Sequence, residues 1–406
     1  MKKKETTEPG SRPLWPRVIA FLLALIVGVG GITLGVLQIG KKEPGYQVID
    51  TAPDEEVSLY NRGITFNYYF DGGSDEIKRG VKELSGFYSP LLMRVYKLLD
   101  AEREYEGFRN IATLNAHIGE DITVGPELFR VLTDAKEKTL EQKGFNMFDG
   151  ALYRAWQDIL YLSEPEDFDP LRNEEQRERL RQLSAAGGDL SNFDLVIVDA
   201  EQYVLRLEVS ESYLALLREL EQEGPILDLG LLHDAYELQL LTDSLEAAGY
   251  RSGFLSMRSG AVSLLSANPA GELTLYGRTA DGMAPAAVTP APAGRATSYM
   301  RAVAETEGEA GYYVLDGQLR HPWLTASGAC GSVIQAALIV ADDPATAAYL
   351  NLQLQEAPTA ELLHMTARAC PAAVAYVLND AAPTVYANSA LFLPCEDYGW
   401  TLEPLQ

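Results

Sequence analysis

Residues 224–260 read GPILDLGLLHDAYELQLLTDSLEAAGYRSGFLSMRSG, and no other stretch constrains the fold of this chain as much. Ile226, Leu227 and Leu229 form a short apolar run, expected to be a strand that turns at Gly230. A helix is expected next, ending near Gly249, and then a second strand from Tyr250 to a turn at Ser259-Gly260. Such a strand–glycine–helix–strand unit aims backbone N–H groups and a helix N-terminus at one point, which suits a phosphate or another anion. Many α/β units share the spacing, so spacing alone names no family.

The N-terminus sets the compartment. Val18–Ile39 runs 22 residues without a formal charge, enough for a helix to cross a hydrocarbon core about 30 Å thick. Lys2, Lys3, Lys4, Arg12 and Arg17 precede it. The positive-inside rule then keeps residues 1–17 in the cytoplasm and puts the main domain outside it, in a single-pass membrane protein. A cleaved signal peptide is the alternative; the length of the run and the lack of an A-x-A site speak against it. No Cys precedes Cys330, so a lipidated cysteine is excluded.

Charge divides at the same place. Residues 1–42 carry seven Lys/Arg and two Glu, whereas the remainder carries 26 Lys/Arg and 56 Asp/Glu. So acidic a domain argues against nucleic acid or anionic lipid surfaces as partners, and most of the charge serves solubility. Cys330, Cys370 and Cys395 match no zinc spacing; one disulfide with one thiol over, or three buried thiols, fit the count. No Walker loop, GxSxG or HExxH occurs.

The pattern along the chain is that of an α+β protein with antiparallel sheets and packed helices. Residues 40–60 read as a linker. Gly63–Phe70 alternates as a strand, and Ser74–Asp100 has helical spacing interrupted near Pro90. A helix is expected from Pro126 to Lys143 with Thr123 as a candidate cap, and a charged surface helix over 164–182. Phe193–Asp199 and Tyr203–Val209 read as a hairpin. The Pro/Ala-rich segment 280–296 reads as a loop. Strands are expected near Tyr299–Glu305, Gly311–Leu315 and Val333–Val340, with a helix from Pro344. The main domain would span 61–355, with 356–406 packed on it as an extension that holds a helix and short strands.

Several segments, in order, carry a resemblance. Asp228, Leu229, Gly230, Tyr236 and Gly260 match the pattern DLGGIAKGYAxD followed by a GG turn, while Leu231, Asp234, Ala235 and Gln239 break it. FRNIATLN (108–115) is similar to S-x-I-x-x-L-N, and TVGPELFRVLTDAK (123–136) to the helix after it. GFNMFDGALYRAW (144–156) resembles a shortened G-x-FDPTVGPLxxLW, and YYVLDGQLRHPWLTASG (312–328) resembles YxxDGKRYHHILDPxTG. Residues 333–352 stand where a strand and an ADAxxT helix would be. Together these resemble the ApbE-type FAD:protein FMN transferases, extracytoplasmic Mg-dependent enzymes that move FMN from FAD onto a Ser or Thr of a target protein.

The resemblance implies flavin-binding positions at Asn115, Asp149, Asp228, Gly230, Tyr236, Gly260, His321 and Gly328, with His321 as the remnant of the catalytic HxxDP element. The five that are not glycine also have a plainer reading. His321 packs, Asp149 caps a turn, Asn115 fixes a loop, Asp228 holds helix N–H groups, and Tyr236 lies in the core. The family's metal ligands are the Asp and Thr of ADAxxT; Ala348 and Leu352 stand there, and neither side chain ligates Mg²⁺. Leu324 and Thr325 replace the Asp-Pro, and Asp234 replaces a Lys. A carboxylate 4–6 Å from a phosphate costs about 3–4 kcal/mol in a partly screened site. The expectation is a scaffold that can still hold FAD, without a side-chain site for Mg²⁺. It would act as a flavin-binding or assembly module beside an extracytoplasmic membrane redox protein. An active transferase with a divergent metal site is the alternative, and an acidic domain with no flavin link is a third reading.

Overall fold

A computed structural model describes residues 42–51, 63–380 and 382–405. The expected anchor at 18–39 lies outside them, and no helix among the described residues is long and apolar enough to cross a membrane. In chain order, β1 (Gly45–Val48), β2 (Ile64–Phe70), α1 (Ser74–Leu99), α2 (Ile111–Ala116), β3 (Ile122–Thr123), α3 (Pro126–Leu140) and α4 (Gly150–Leu160) come first. Then follow α5 (Glu174–Gly187), β4 (Phe193–Asp199), β5 (Val204–Val209), α6 (Glu211–Glu219) and α7 (His233–Ala247). A run of strands comes next: β6 (Gly253–Met257), β7 (Ala261–Leu264), β8 (Gly271–Thr279), β9 (Gly282–Ala291), β10 (Ala296–Arg301), β11 (Tyr313–Leu315), β12 (Gln318–Arg320) and β13 (Ile334–Ala341). Helices α8 (Pro344–Gln355) and α9 (Ala360–Ala369) precede β14 (Ala373–Leu378), β15 (Thr384–Ala387), β16 (Leu393–Pro394) and β17 (Thr401–Pro404).

The main sheet runs β1-β2-β6-β7-β10-β13-β14-β15-β17. Its pairings are antiparallel except β15 with β17, which is parallel, so the sheet is mixed. All eight residues of β13 are buried, because both of its faces are covered. Ala337, Ile339 and Ala341 join the core that includes α7 and α8. The alternate residues Ala336, Leu338 and Val340 pack with Leu275, Ala286, Ala287 and Trp400 on the other face. That two-sided burial explains the run IQAALIVA, apolar except for Gln335.

The Pro/Ala-rich segment 280–296 is not a loop. Gly282–Ala291 is β9, paired with β8 along its length, with one register shift between Leu275 and Tyr276. Its alanines are there for close packing, since Ala286, Ala287 and Ala291 are buried. Pro290 is exposed, and proline is tolerated in strands where no ladder bond is needed from its nitrogen.

Other boundaries move too. Residues 226–229 form a loop, not a strand, and a 3₁₀ turn at Gly230–Leu232 leads into α7. The second strand, β6, begins at Gly253, after a turn. Helix α1 continues through Pro90, with Leu91, Leu92 and Val95 buried beyond it, so packing offsets the backbone bond that proline cannot make. The charged stretch 164–182 holds a 3₁₀ turn at Pro165–Asp167 and then the start of α5, capped by Asn173. Part of the expected linker is β1, paired with β2. The three cysteines are unpaired thiols.

Residues 356–406 supply β14, β15 and β17 to the main sheet. A chain stopped after Gln355 would therefore expose the β14 side of β13, an edge of eight buried residues that are all apolar except Gln335. Such a chain is expected to be insoluble or to lack near-UV circular dichroism; a soluble product with cooperative unfolding would contradict this.

Candidate functional site

Asn115 organises the site. It sits in α2, whose cap Asn110 is buried and accepts from Thr113 N at 3.0 Å. The Asn115 Oδ1 accepts from Leu227 N at 2.9 Å, and its Nδ2 donates to Leu227 O at 2.9 Å. One side-chain amide thus satisfies both polar groups of residue 227, doing what a neighbouring strand would do. The loop is delivered to Asp228, whose Oδ1 accepts from Gly230 N at 2.7 Å and shapes the turn into α7.

A cleft with a volume of about 50 Å³ opens beside this loop, lined by the start of α4, residues 228–231, residues 324–328 and Leu352 of α8. Glycines permit the close packing of its walls. A Cβ on Gly150 would lie 2.4 Å from Pro225 O, and one on Gly144 would lie 2.7 Å from the Leu352 carbonyl. The strap across the mouth is closed by an antiparallel bridge between Leu324 and Cys330. It is tied down by Ala326 N donating to Glu356 Oε1 (2.8 Å) and by Ser184 Oγ donating to Ser327 O (2.8 Å).

The cleft holds two carboxyl groups, Asp149 and Asp228, and no basic side chain. The Asp149 Oδ1 is shut off from solvent with no hydrogen-bond partner, and Gly187 packs so close that a Cβ there would sit 2.4 Å from it. Burial pushes the Asp149 carboxyl up to about 8, against a smaller opposing effect of Asn146. At neutral pH Asp149 is therefore mostly a neutral acid that can donate a hydrogen bond. The Tyr153 hydroxyl is pushed up by burial and then by the charges of Asp228 and Asp234, which puts the Asp234 charge within electrostatic reach of the cleft.

Of the expected site residues, Asp149, Asp228, Gly230 and Gly328 line the cleft, and Asn115 supports its wall. Three lie elsewhere. The Tyr236 hydroxyl donates to Asp134 Oδ2 at 2.6 Å in the core. Gly260 is a turn residue at φ +96°, where a Cβ would come within 2.1 Å of Tyr299 O. His321 is fully buried, with Nε2 bonded to Gly331 O at 2.8 Å. Burial pushes the His321 imidazole down to about 4, so it is neutral at physiological pH. Tyr153, Gly144 and Gly150 also line the cleft and were not singled out from sequence; Leu231, noted there only as a break in the motif, lines it too. The glycines of GFNMFDG were the visible signal for the first part of this wall.

The positions aligned with the family's metal ligands lie on α8. Ala348 is 3% exposed within the main core, and Leu352 packs against the cleft wall. Neither offers an oxygen from its side chain. The carboxyl groups of the cleft are Asp149 and Asp228, and Asp228 Oδ1 accepts from Gly230 N. Among the described residues, no group of three His, Cys, Asp or Glu is placed to hold a metal ion. Mg²⁺ keeps most of its waters and takes one or two carboxylates, and Ala348 and Leu352 supply none.

No family sequence model matches the chain, and no curated protein matches it by sequence. Solved structures do match. The ApbE protein of Thermotoga maritima superposes with a TM-score of 0.58 at 15% identity, over 87% of this chain and 98% of its own. This chain has the ApbE fold. The flavin transferase ApbE of Vibrio cholerae gives a TM-score of 0.54 at 12% identity, over 87% of this chain and 96% of its own. The flavinyl transferase ApbE of Pseudomonas stutzeri, in its apo form, gives 0.52 at 15%, over 83% and 92%. At these identities the likeness establishes the ApbE fold, and function has to be argued from the cleft.

Asp149 makes a testable liability. Between about pH 4 and pH 8 the folded protein keeps a proton on Asp149 that the unfolded chain has released. Its contribution to stability therefore falls as pH rises through that window. Asp149→Asn is expected to stabilise the protein by about 1–3 kcal/mol at pH 8 and hardly at all at pH 4, read by denaturant unfolding. An equal effect at both pH values would contradict a raised carboxyl.

Proposed function

We propose that this protein is a membrane-anchored, extracytoplasmic relative of the ApbE flavin transferases. FMN transfer is lost or much reduced, and the cleft serves as a flavin-binding or assembly module beside a redox partner protein. The observation that carries the reading is the apolar character of α8 at Ala348 and Leu352, the positions where the resemblance calls for Asp and Thr. The anchor is inferred from Val18–Ile39 and the basic residues before it.

The cleft suits the ring of a flavin better than its phosphates. Its apolar walls, from Leu152, Leu231, Leu324 and Leu352, offer a dry surface to a flat heterocycle. The neutral Asp149 would donate a hydrogen bond to a ring carbonyl or nitrogen. Asn115 and Asp228 would hold the backbone of 226–230 in place around it. Near Asp228 and Asp234 a bare pyrophosphate would meet like charge, and no residue of the cleft offsets it.

The test is FAD binding by the full chain in detergent, followed by flavin fluorescence with Mg²⁺ and with EDTA. Binding of equal strength in both is expected, without FMN transfer to a Ser- or Thr-containing acceptor. Mg-dependent binding with transfer would establish the alternative, an active transferase with a divergent metal site. Failure to bind FAD at all would leave only the fold in common.

A further inference from the structure

A second cavity, of about 530 Å³, shares Gly328 with the cleft and lies between α4, α5, β12 and the strap. Its chemistry is the reverse of the cleft's. Arg177, Arg181 and Arg320 line it, and no Asp or Glu does. This is notable in a chain whose residues beyond 42 carry 56 acidic side chains against 26 basic ones. The general field of such a domain repels anions, so a site for one has to be made locally.

The three arginines play different parts. Arg320 is 7% exposed and donates from Nε and Nη2 to the buried Asp169, at 2.6 and 3.1 Å, with its guanidinium 5.8 Å over the Trp156 ring. Burial alone would raise the Asp169 carboxyl, but the bonds from Arg320, Leu171 N and Tyr313 hold it below the usual range. This pair is neutral and builds the wall. Arg177 and Arg181 stand one turn apart on one face of α5. Arg177 uses only Nε, toward Pro170 O at 3.0 Å, and its terminal nitrogens have no partner among the described residues. Arg181 holds Glu178 through both Nε (2.8 Å) and Nη2 (2.6 Å) on the exposed surface, so a phosphate there would have to displace that carboxylate. The Trp156 indole Nε1 likewise has no hydrogen-bond partner among the described residues, and Gly328 gives it room. The open end of the Arg177 guanidinium, with Arg181 one turn away and an aromatic ring beside them, suits phosphate oxygens on a flat ring system.

We propose that this pocket binds the phosphates of a nucleotide through Arg177 and Arg181, so that positive side chains do what a bound cation would do for a ligand spanning both cavities. The choice of FAD as that nucleotide rests on the flavin reading of the cleft; the anion site does not. A ligand with a neutral ring and a charged tail would divide itself across Gly328, ring toward the cleft and phosphates toward α5.

The experiment is calorimetric titration of the full chain in detergent, with EDTA throughout, using ADP, pyrophosphate, riboflavin and FAD as probes. The comparison is with Arg177→Gln/Arg181→Gln, both on the exposed face of α5. A control, Arg130→Gln/Arg218→Gln, removes the same charge elsewhere. ADP and pyrophosphate are expected to bind, to weaken as salt rises, and to lose about tenfold or more in affinity in the α5 variant but not in the control. Riboflavin binding is expected to be unchanged. Absence of ADP and pyrophosphate binding, or equal binding by the two variants, would overturn the proposal. If ADP behaves as expected while riboflavin and FAD do not bind, the flavin reading falls and the phosphate site stands. If riboflavin binds while ADP does not, the flavin reading stands and the phosphate site falls.

Discussion

Burial of β13 on both faces is the constraint on which the rest of the structure depends. One face is covered by β8 and β9, the other by α7 and α8. Helix α8 therefore has little solvent-facing surface, and ten of its twelve residues are buried. Of its two buried amides, Asn351 donates to the carbonyl and the hydroxyl of Ser298, both at 2.9 Å, and Gln355 donates to Met300 Sδ. A carboxylate at position 348 would need comparable partners or a cation, because an unpaired buried charge is costly. Alanine and leucine remove that requirement. With Ala348 and Leu352 at these positions α8 is a core helix with no buried charge to satisfy.

The same elements place the two cavities side by side with opposite charge. The cleft has a neutral acid at Asp149 and a carboxylate at Asp228, while the neighbouring pocket has arginines on α5. The wall between them is the strap Leu324–Cys330, where Gly328, at φ +77°, is packed against Trp156 and Leu152. A neutral ring is suited to one side and phosphates to the other. That division follows from where α4 and α5 start and pack, with Leu180 and Leu183 buried against α4.

Much of this was legible in the sequence where local pattern and burial agree. The hairpin of β4 and β5, the helix α7 and the strand–helix pair β13–α8 follow from periodicity and caps. Asn115 was readable as a residue that fixes a loop, because an Asx amide at a helix end has few other uses. The strand expected at 226–229 failed for a reason no local pattern reveals: Asn115, more than a hundred residues earlier, takes the backbone bonds of Leu227. Segment 280–296 misled because Pro and Ala suggest a loop, whereas Ala286 and Ala287 are buried here in the core shared with β13. The arginine pocket was hidden because Arg177 and Arg181 lie in a charged surface helix and Arg320 in a motif read for its histidine. Only packing brings them together.

The central claim, that the fold is kept while the metal site is not, is tested most directly by cation binding. Mn²⁺ can be titrated into the full chain and followed by electron paramagnetic resonance, with Mg²⁺ as competitor. The account predicts only weak binding to the acidic surface, fading as salt rises and unchanged by Asp228→Asn. One tightly held Mn²⁺ that Mg²⁺ displaces and Asp228→Asn abolishes would contradict it.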